Sequence, residues 1–292
     1  MAGLPGPCVS RLAIMPVHDI TILLFLGALA AGLLGALTGL GGGAIIVPLL
    51  TILFHVDIRY AVGTSLVSVI ATSSGAAAAY VKEGYSNIRV GMLLEIATTI
   101  GAITGAYIAG LVSPTAVAVI FGIVLLHTAW TSTRPRVEHI AGGPPDPIAL
   151  KLRLDSTYPT PSGPQHYQVQ RVPLGFGLMY IAGILSGLLG IGSGVVKVLA
   201  MDRAMHLPFK VSTTTSNFMI GVTAAASAGI YLHRGYIVPG LAFPVMLGVL
   251  AGALAGARML PHLHTQKLRV VFSLLVAALA VELLVNAFMG KI

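Results

Sequence analysis

Lys197 lies inside an apolar run, GVVKVLA, about nine residues from the polar end of its segment. A lysine buried in hydrocarbon needs a counter-charge, a water-filled cavity or an anionic ligand. Immediately before it stands GIGSG (Gly190 to Gly194), a glycine cluster able to turn the chain sharply. A short helix then starts at Gly194 with its first N–H groups unpaired and its positive dipole end aimed at the turn. This is how backbone alone recognises an anion. GLGGG (Gly39 to Gly43), ahead of AIIVPLL, repeats the signal. Two such helix ends converging near the midplane of a membrane make an anion site. The candidate contacts are Gly41, Gly42, Gly43, Gly192, Ser193, Gly194 and Lys197. Glycines also serve close helix packing and lysines snorkel to the surface. Clusters this dense exceed what packing needs, and the reach from Lys197 to the surface is long.

Hydroxyls follow each short segment: Thr64 and Ser65, then Thr213, Thr214, Thr215, Ser216 and Asn217. They can donate to oxyanions, although bonding the i−4 carbonyl is their commoner role. Thr64, Ser65, Thr215, Ser216 and Asn217 join the substrate-contact candidates. Glu95 and Glu282 lie inside apolar segments, and Glu95 is the candidate for carrying a coupling proton. Asp202, beside Arg203, reads as structural, and His55 and His206 as loop residues. No catalytic residue, metal ligand set or cofactor is assigned. A serine protease motif would need glycine where Ile191 stands, and there is no Asp/Glu/His cluster for a metal. The single cysteine, Cys8, excludes an intramolecular disulfide and a cysteine-based metal or haem site.

These residues occur in matched sets because the chain is written twice. Shifted by 151 positions, GLGGG falls on GIGSG, His55 on His206, Thr64-Ser65 on Thr215-Ser216, and Gly84-Tyr85 on Gly235-Tyr236. Gly101 and Gly105 then meet Gly252 and Gly256 without a gap.

The elements carrying them are membrane helices. Hydrophobic residues make up 56% of the chain and charged ones 9%, more apolar sequence than one soluble core absorbs. Ten apolar segments fall near 20–38, 43–54, 60–81, 90–112, 115–131, 172–189, 194–205, 211–232, 237–257 and 270–289. The second and seventh are short, about 12 residues or ~18 Å of helix against a ~30 Å hydrocarbon core. Each reads as one arm of a helical hairpin whose tip turns inside the membrane. Residues 1–18 have the look of a secretory leader, but the run from Ile20 is the repeat mate of the run ending at Leu189 and so belongs to the fold.

With five segments per half, the flanking Lys and Arg divide four against twelve, Lys197 being the remaining one of the 17. Lys and Arg gather on the cytoplasmic side, so the formal charge of +8 reports topology and not nucleic-acid binding. The expected fold is all-α and polytopic, two inverted repeats of five segments in the cytoplasmic membrane with both termini outside. The expected domains are a first repeat at 19–132, a Pro-rich cytoplasmic linker at 133–171 and a second repeat at 172–290.

GLGGGAIIVPLL with AVGTSLVSV, and GIGSGVVKVLAMDRAMHLPFKVSTTTSNFMIG, resemble the doubled motif of the sulfite exporter TauE/SafE family of small-anion permeases. The resemblance covers nearly the whole chain. Ser193 stands where that family usually has a third glycine, Leu199 where a proline is typical, and Asp202 where a neutral amide is. Membership implies movement of sulfite, thiosulfate or a small organosulfonate such as sulfoacetate. The residues alone imply a small anion as partner besides the lipid bilayer, with homodimerisation open. A passive anion channel is the nearest alternative reading and an intramembrane enzyme a remote one.

Overall fold

A computed structural model describes residues 17–38, 42–82, 85–133, 146–160, 163–259 and 265–290. The first half contains α1 (Val17–Thr38), α2 (Gly43–Pro48), α3 (Ile58–Lys82), α4 (Ile88–Ala109) and α5 (Pro114–Thr133). A short α6 (Pro147–Lys151) and a hairpin of β1 (Ser156–Thr160) and β2 (Gly163–Tyr167) follow. The second half is α7 (Val172–Leu189), α8 (Gly194–Leu199), α9 (Phe209–His233), α10 (Pro239–Met259) and α11 (Thr265–Phe288). Helices α1, α4, α5, α7 and α10 are long and apolar enough to cross a membrane. The protein is mostly helical and multi-pass. Helix α4 shows how: Met92, Ile96, Ile100, Ile103 and Tyr107 form an exposed stripe at helical spacing, which only lipid would solvate well. Its opposite face, with Gly91, Leu94, Glu95, Thr98 and Gly101, is buried.

Small residues let these helices approach closely. A Cβ at Gly101 or Gly105 would strike the carbonyls of Tyr180 and Ile184 on α7, and one at Gly183 or Gly187 those of Thr98 and Ala102 on α4. Gly32, Gly248 and Gly252 make the same approach between α1 and α10. Consequently α4 lies along α7 and α1 along α10, while α3 meets α9 and α5 meets α11. Helices α3 and α9 are 25 residues each, ~37 Å of helix, and carry many hydroxyls. Most of these are satisfied inside the helix, as where Ser68 donates to Thr64 O at 3.1 Å and Ser227 to Thr223 O at 3.2 Å.

Two further contacts are related by the 151-residue shift. The Arg59 guanidinium lies 5.8 Å from the Tyr236 ring centre, and the Lys210 ammonium 5.9 Å from that of Tyr85. Arg59 opens α3 and Tyr236 follows α9, whereas Lys210 opens α9 and Tyr85 follows α3. The two helices therefore run antiparallel, with one cation–ring contact at either end.

Each short helix widens into a π-helical turn, Leu49–Leu53 after α2 and Ala200–Ala204 after α8. Pro48 ends α2, but Leu199 ends α8 with the same outcome, so the missing proline N–H does not cause the widening. Soon after, His55 (φ 52°) and His206 (φ 55°) turn left-handed. That conformation costs a non-glycine residue roughly 1 kcal/mol or more and marks both as turn residues.

The Pro-rich stretch departs from the linker that its composition predicts. Its described part, 146–160 and 163–171, is folded. Asp146 accepts from Ile148 N and from Val172 N, both at 2.8 Å, which ties the cap of α6 to the start of α7. Asp155 accepts from Val169 N at 2.8 Å. Ala149, Leu154, Tyr158, Tyr167 and Val169 share a core with Val90, Met179, Met201 and Met205. Asn87 joins this cap to the bundle. Its Nδ2 donates to Leu154 O and to Tyr167 Oη, both at 2.8 Å, and its backbone N donates to Thr215 Oγ1 at 3.0 Å. Burial pushes the Tyr167 phenol up to about 12. Among the described prolines, Pro147 opens α6, where no N–H is needed, and Pro159 faces Pro164 across the two strands.

Candidate functional site at the two helix tips

The tip ahead of α8 is built by three left-handed residues. Gly190 (φ 68°) ends α7, its N–H donating to Ser186 O at 2.8 Å, and Gly192 has φ 70°. Ser193, at φ 45°, is not a glycine, and it makes no side-chain cap to α8. Its side chain is 2% exposed and its Oγ has no hydrogen-bond partner. A buried hydroxyl without a partner costs about 1–3 kcal/mol, and here it comes on top of backbone strain. The tip ahead of α2 is described from Gly42, which keeps a right-handed φ of −69°. Gly39, Leu40 and Gly41 lie outside the described residues.

The tips touch. Ser65 Oγ donates to Gly190 O at 2.8 Å and lies 3.4 Å from Gly43 O. A Cβ on Gly43 would stand 2.8 Å from Val69 Cγ2, 3.1 Å from Ser65 Oγ and 3.3 Å from Gly190 O. In the second half Ser216 Oγ donates to Gly194 O at 3.3 Å. Ser216 thus binds the first-turn carbonyl of the short helix in its own half, whereas Ser65 donates across to Gly190 O of the other half. Both hydroxyls bond backbone carbonyls at the tips.

Between the tips is a cavity of about 20 Å³, lined by Ala44, Ile191, Ser193, Gly194 and Val196, with Val124, Leu125 and Thr128 from α5. That is room for one water-sized group. Thr128 donates to Val124 O at 2.8 Å, so Ser193 is the lining hydroxyl with a free proton. The cavity therefore borders the first turns of two helices and one unsatisfied hydroxyl, in a wall that is otherwise mostly apolar.

Other candidate residues lie elsewhere. Thr64 is fully buried and its Oγ1 is unpartnered, but it does not line the cavity. Thr215 accepts from Asn87 N, and Asn217 is half-buried away from the cavity lining. Glu282 is exposed. Asp202 and His206 sit at and beyond the π turn.

Lys197 is fully buried, but it points away from the cavity. Its Nζ donates to Thr223 Oγ1 at 2.5 Å, and Thr223 Oγ1 lies 2.7 Å from Glu95 Oε1. Thr99 also donates to Glu95 Oε1, at 3.3 Å, while Oε2 is buried without a partner. The structure links Lys197, the candidate substrate contact, to Glu95, the candidate proton carrier, through Thr223. Thr223 was not among the candidates. Its signal was helical spacing: Thr215, Met219, Thr223 and Ser227 recur every four residues on the buried face of α9. No group of three or more His, Cys, Asp or Glu suited to a metal occurs among the described residues.

Comparison with known proteins bears on this geometry. A family model described as "Sulfite exporter TauE/SafE" matches residues 24–283. The chain is 27% identical over 275 residues to "Probable membrane transporter protein YunE" of Bacillus subtilis (strain 168), covering 90% of this chain and 96% of that one. It is 26% identical over 244 residues to "Probable membrane transporter protein YdhB" of the same organism, with 82% and 88% covered. It is 24% identical over 277 residues to "Probable membrane transporter protein MJ0441" of Methanocaldococcus jannaschii, with 90% and 94% covered. No solved structure matches the chain.

Proposed function

The chain belongs to the sulfite exporter TauE/SafE family, and we propose that it carries a small sulfur-containing anion across the cytoplasmic membrane by alternating access. Sulfite, thiosulfate and organosulfonates such as sulfoacetate are the substrate class. Membership and the transporter relatives make it a multi-pass membrane transporter; substrate and mechanism are the proposal. One observation carries the site: Ser193 Oγ, strained, buried and unpartnered, lines a cavity between two helix starts. A sulfonate is larger than one water, so the tips must part to admit it.

The two halves act as inverted repeats that rock around this point. The shared 151-residue register supports that reading, as do the exchanged helix pairs α1–α10 and α4–α7 and the cation–ring contacts at opposite ends of α3 and α9. In this arrangement both termini lie outside and the folded cap faces the cytoplasm, as the charge split demands.

Purified protein should be stabilised against heat by at least one of sulfite, thiosulfate and sulfoacetate, and less by acetate or formate. Ser193→Ala should weaken that ligand by about 1–3 kcal/mol, the scale of a hydrogen bond to a charged group. The proposal fails if none of the three stabilises the protein, or if the alanine variant binds with unchanged affinity.

A further inference from the structure

Glu95 and Lys197 are the two buried charged side chains among the described residues, and Thr223 stands between them. Their place in the repeat is informative. The positions 151 residues away are Met246 for Glu95, Ile46 for Lys197 and Thr72 for Thr223. Ile46 is fully buried, and Thr72 donates within its own helix, to Ser68 O at 3.1 Å. The fold thus fills one copy of this location with apolar side chains and the other with an acid and a base. Packing does not require the charges, and a buried ion pair is in any case a weak source of stability compared with well-packed apolar residues.

The hydrogen bonding is suited to a change of state. Thr223 has one proton to donate and two acceptors within reach, Glu95 Oε1 at 2.7 Å and Met219 O at 2.9 Å. Its lone pairs accept from Lys197. Glu95 Oε2, buried and without a partner, is an open position for a proton. Charged groups on the surrounding elements are remote. α7 carries no Asp, Glu, His, Lys or Arg, α9 has none between Lys210 and His233, and α8 brings Lys197 alone. Asp202 and Arg203 lie beyond α8 on its π turn, and on α4 itself the other such groups are Arg89 and Tyr107 towards its ends.

We propose that Glu95, Thr223 and Lys197 form the coupling site of the transporter, in which a proton bound by Glu95 releases the Lys197 ammonium to an anionic substrate. This rests on the transport reading given above. The charge count explains why the two events go together. Glu95 as carboxylate and Lys197 as ammonium sum to zero. Protonating Glu95 alone would leave a lone buried cation, and adding an anion alone would leave an excess negative charge. Adding both returns the cluster to zero for a monoanion, and for a dianion such as thiosulfate or sulfoacetate it halves the excess, from two negative charges to one. Each half-step is costly in a membrane interior, so proton and anion bind together and travel in the same direction. Lys197 stands one helical turn from Ser193 and next to Val196, both of which line the cavity. Freed from Thr223, its ammonium, on a flexible stem, is the one cation that α8 brings beside its tip. Thr223 is a positioning residue: with Glu95 protonated, its own proton turns to Met219 O.

The test uses the full chain in proteoliposomes held at zero membrane potential, with a pH dye inside. Thiosulfate and sulfoacetate are the probes, because near neutral pH neither carries protons by itself. Anion entry should acidify the interior, and a one-unit pH gradient should drive accumulation of about tenfold for one proton per anion. In Glu95→Gln, whatever anion still moves should bring no proton, and the pH gradient should drive no accumulation. A second variant, Glu95→Met with Lys197→Ile, copies the other half of the repeat. It should fold with wild-type thermal stability and lose proton-driven accumulation. Wild-type anion entry without acidification overturns the coupling and leaves the transport reading standing, whereas entry of neither anion overturns both. Proton-driven accumulation in either variant overturns the coupling, and unfolding of the double variant assigns the cluster to structure instead.

Discussion

Ser193 is left-handed at φ 45°, and neither its backbone nor its buried hydroxyl is at ease there. Glycine would relieve the strain and remove the orphan hydroxyl together. Ser193→Gly should therefore stabilise the protein, by roughly 1 kcal/mol from the backbone alone, and raise the melting temperature while weakening anion binding. If binding survives along with the higher melting temperature, Ser193 has no part in the site. Such opposition between stability and activity is expected where strain is stored at a functional position. Ser65 is the contrasting case. Its hydroxyl is spent on Gly190 O, so its removal loosens the contact between tips and leaves an unpaired carbonyl, a loss that registers in stability first.

The elements differ in which glycines they can lose. Along α4 and α7 a Cβ at Gly101, Gly105, Gly183 or Gly187 meets backbone carbonyls, which cannot yield without moving a helix. At Gly194 it meets Ile220 Cδ1 at 2.8 Å, the end of a flexible side chain. Gly101→Ala should accordingly lower thermal stability by about 1–3 kcal/mol, the range for overpacking. Gly194→Ala should leave the fold nearly intact and act on anion binding, because Gly194 itself lines the cavity. Thermal melts of the two variants with and without thiosulfate check this. A Gly194→Ala protein that melts as early as Gly101→Ala would make the tip glycine a packing residue.

On the scale of the whole molecule, the charge split and the folded cap make a joint statement about sidedness. A reporter enzyme active only in the cytoplasm should stay silent when fused after Ile292 and become active when inserted near Pro144. Activity at the C-terminus would end the arrangement of five segments per half, because that arrangement, with its four-to-twelve split of Lys and Arg, puts both termini outside. The cap also ties the second half to the first through Asn87, whose side chain holds Leu154 and Tyr167 while its backbone N donates to Thr215 on α9.

The sequence by itself determined the membrane class, the glycine breaks and the short helices after them. Hydropathy, glycine clusters and helical spacing are local properties, and they survive whatever the rest of the chain does. It also marked Lys197 and Glu95, since a charge in an apolar run is conspicuous without any structure. Tertiary structure decided the pairings. Lys197 reaches Thr223 26 residues away and Thr223 reaches Glu95 across 128; Ser65 reaches Gly190 across 125. Nothing in the spacing of hydroxyls says which will bind a carbonyl, which a carboxylate and which, like that of Ser193, will be left with a proton to offer. The Pro-rich stretch shows the same limit from the other direction. Its composition reads as a linker, yet Asp146, Asp155 and Asn87 fold it by bonds to distant backbone. Hydrogen bonds formed at long sequence separation depend on where helix packing brings the chain, and that packing exists only in three dimensions.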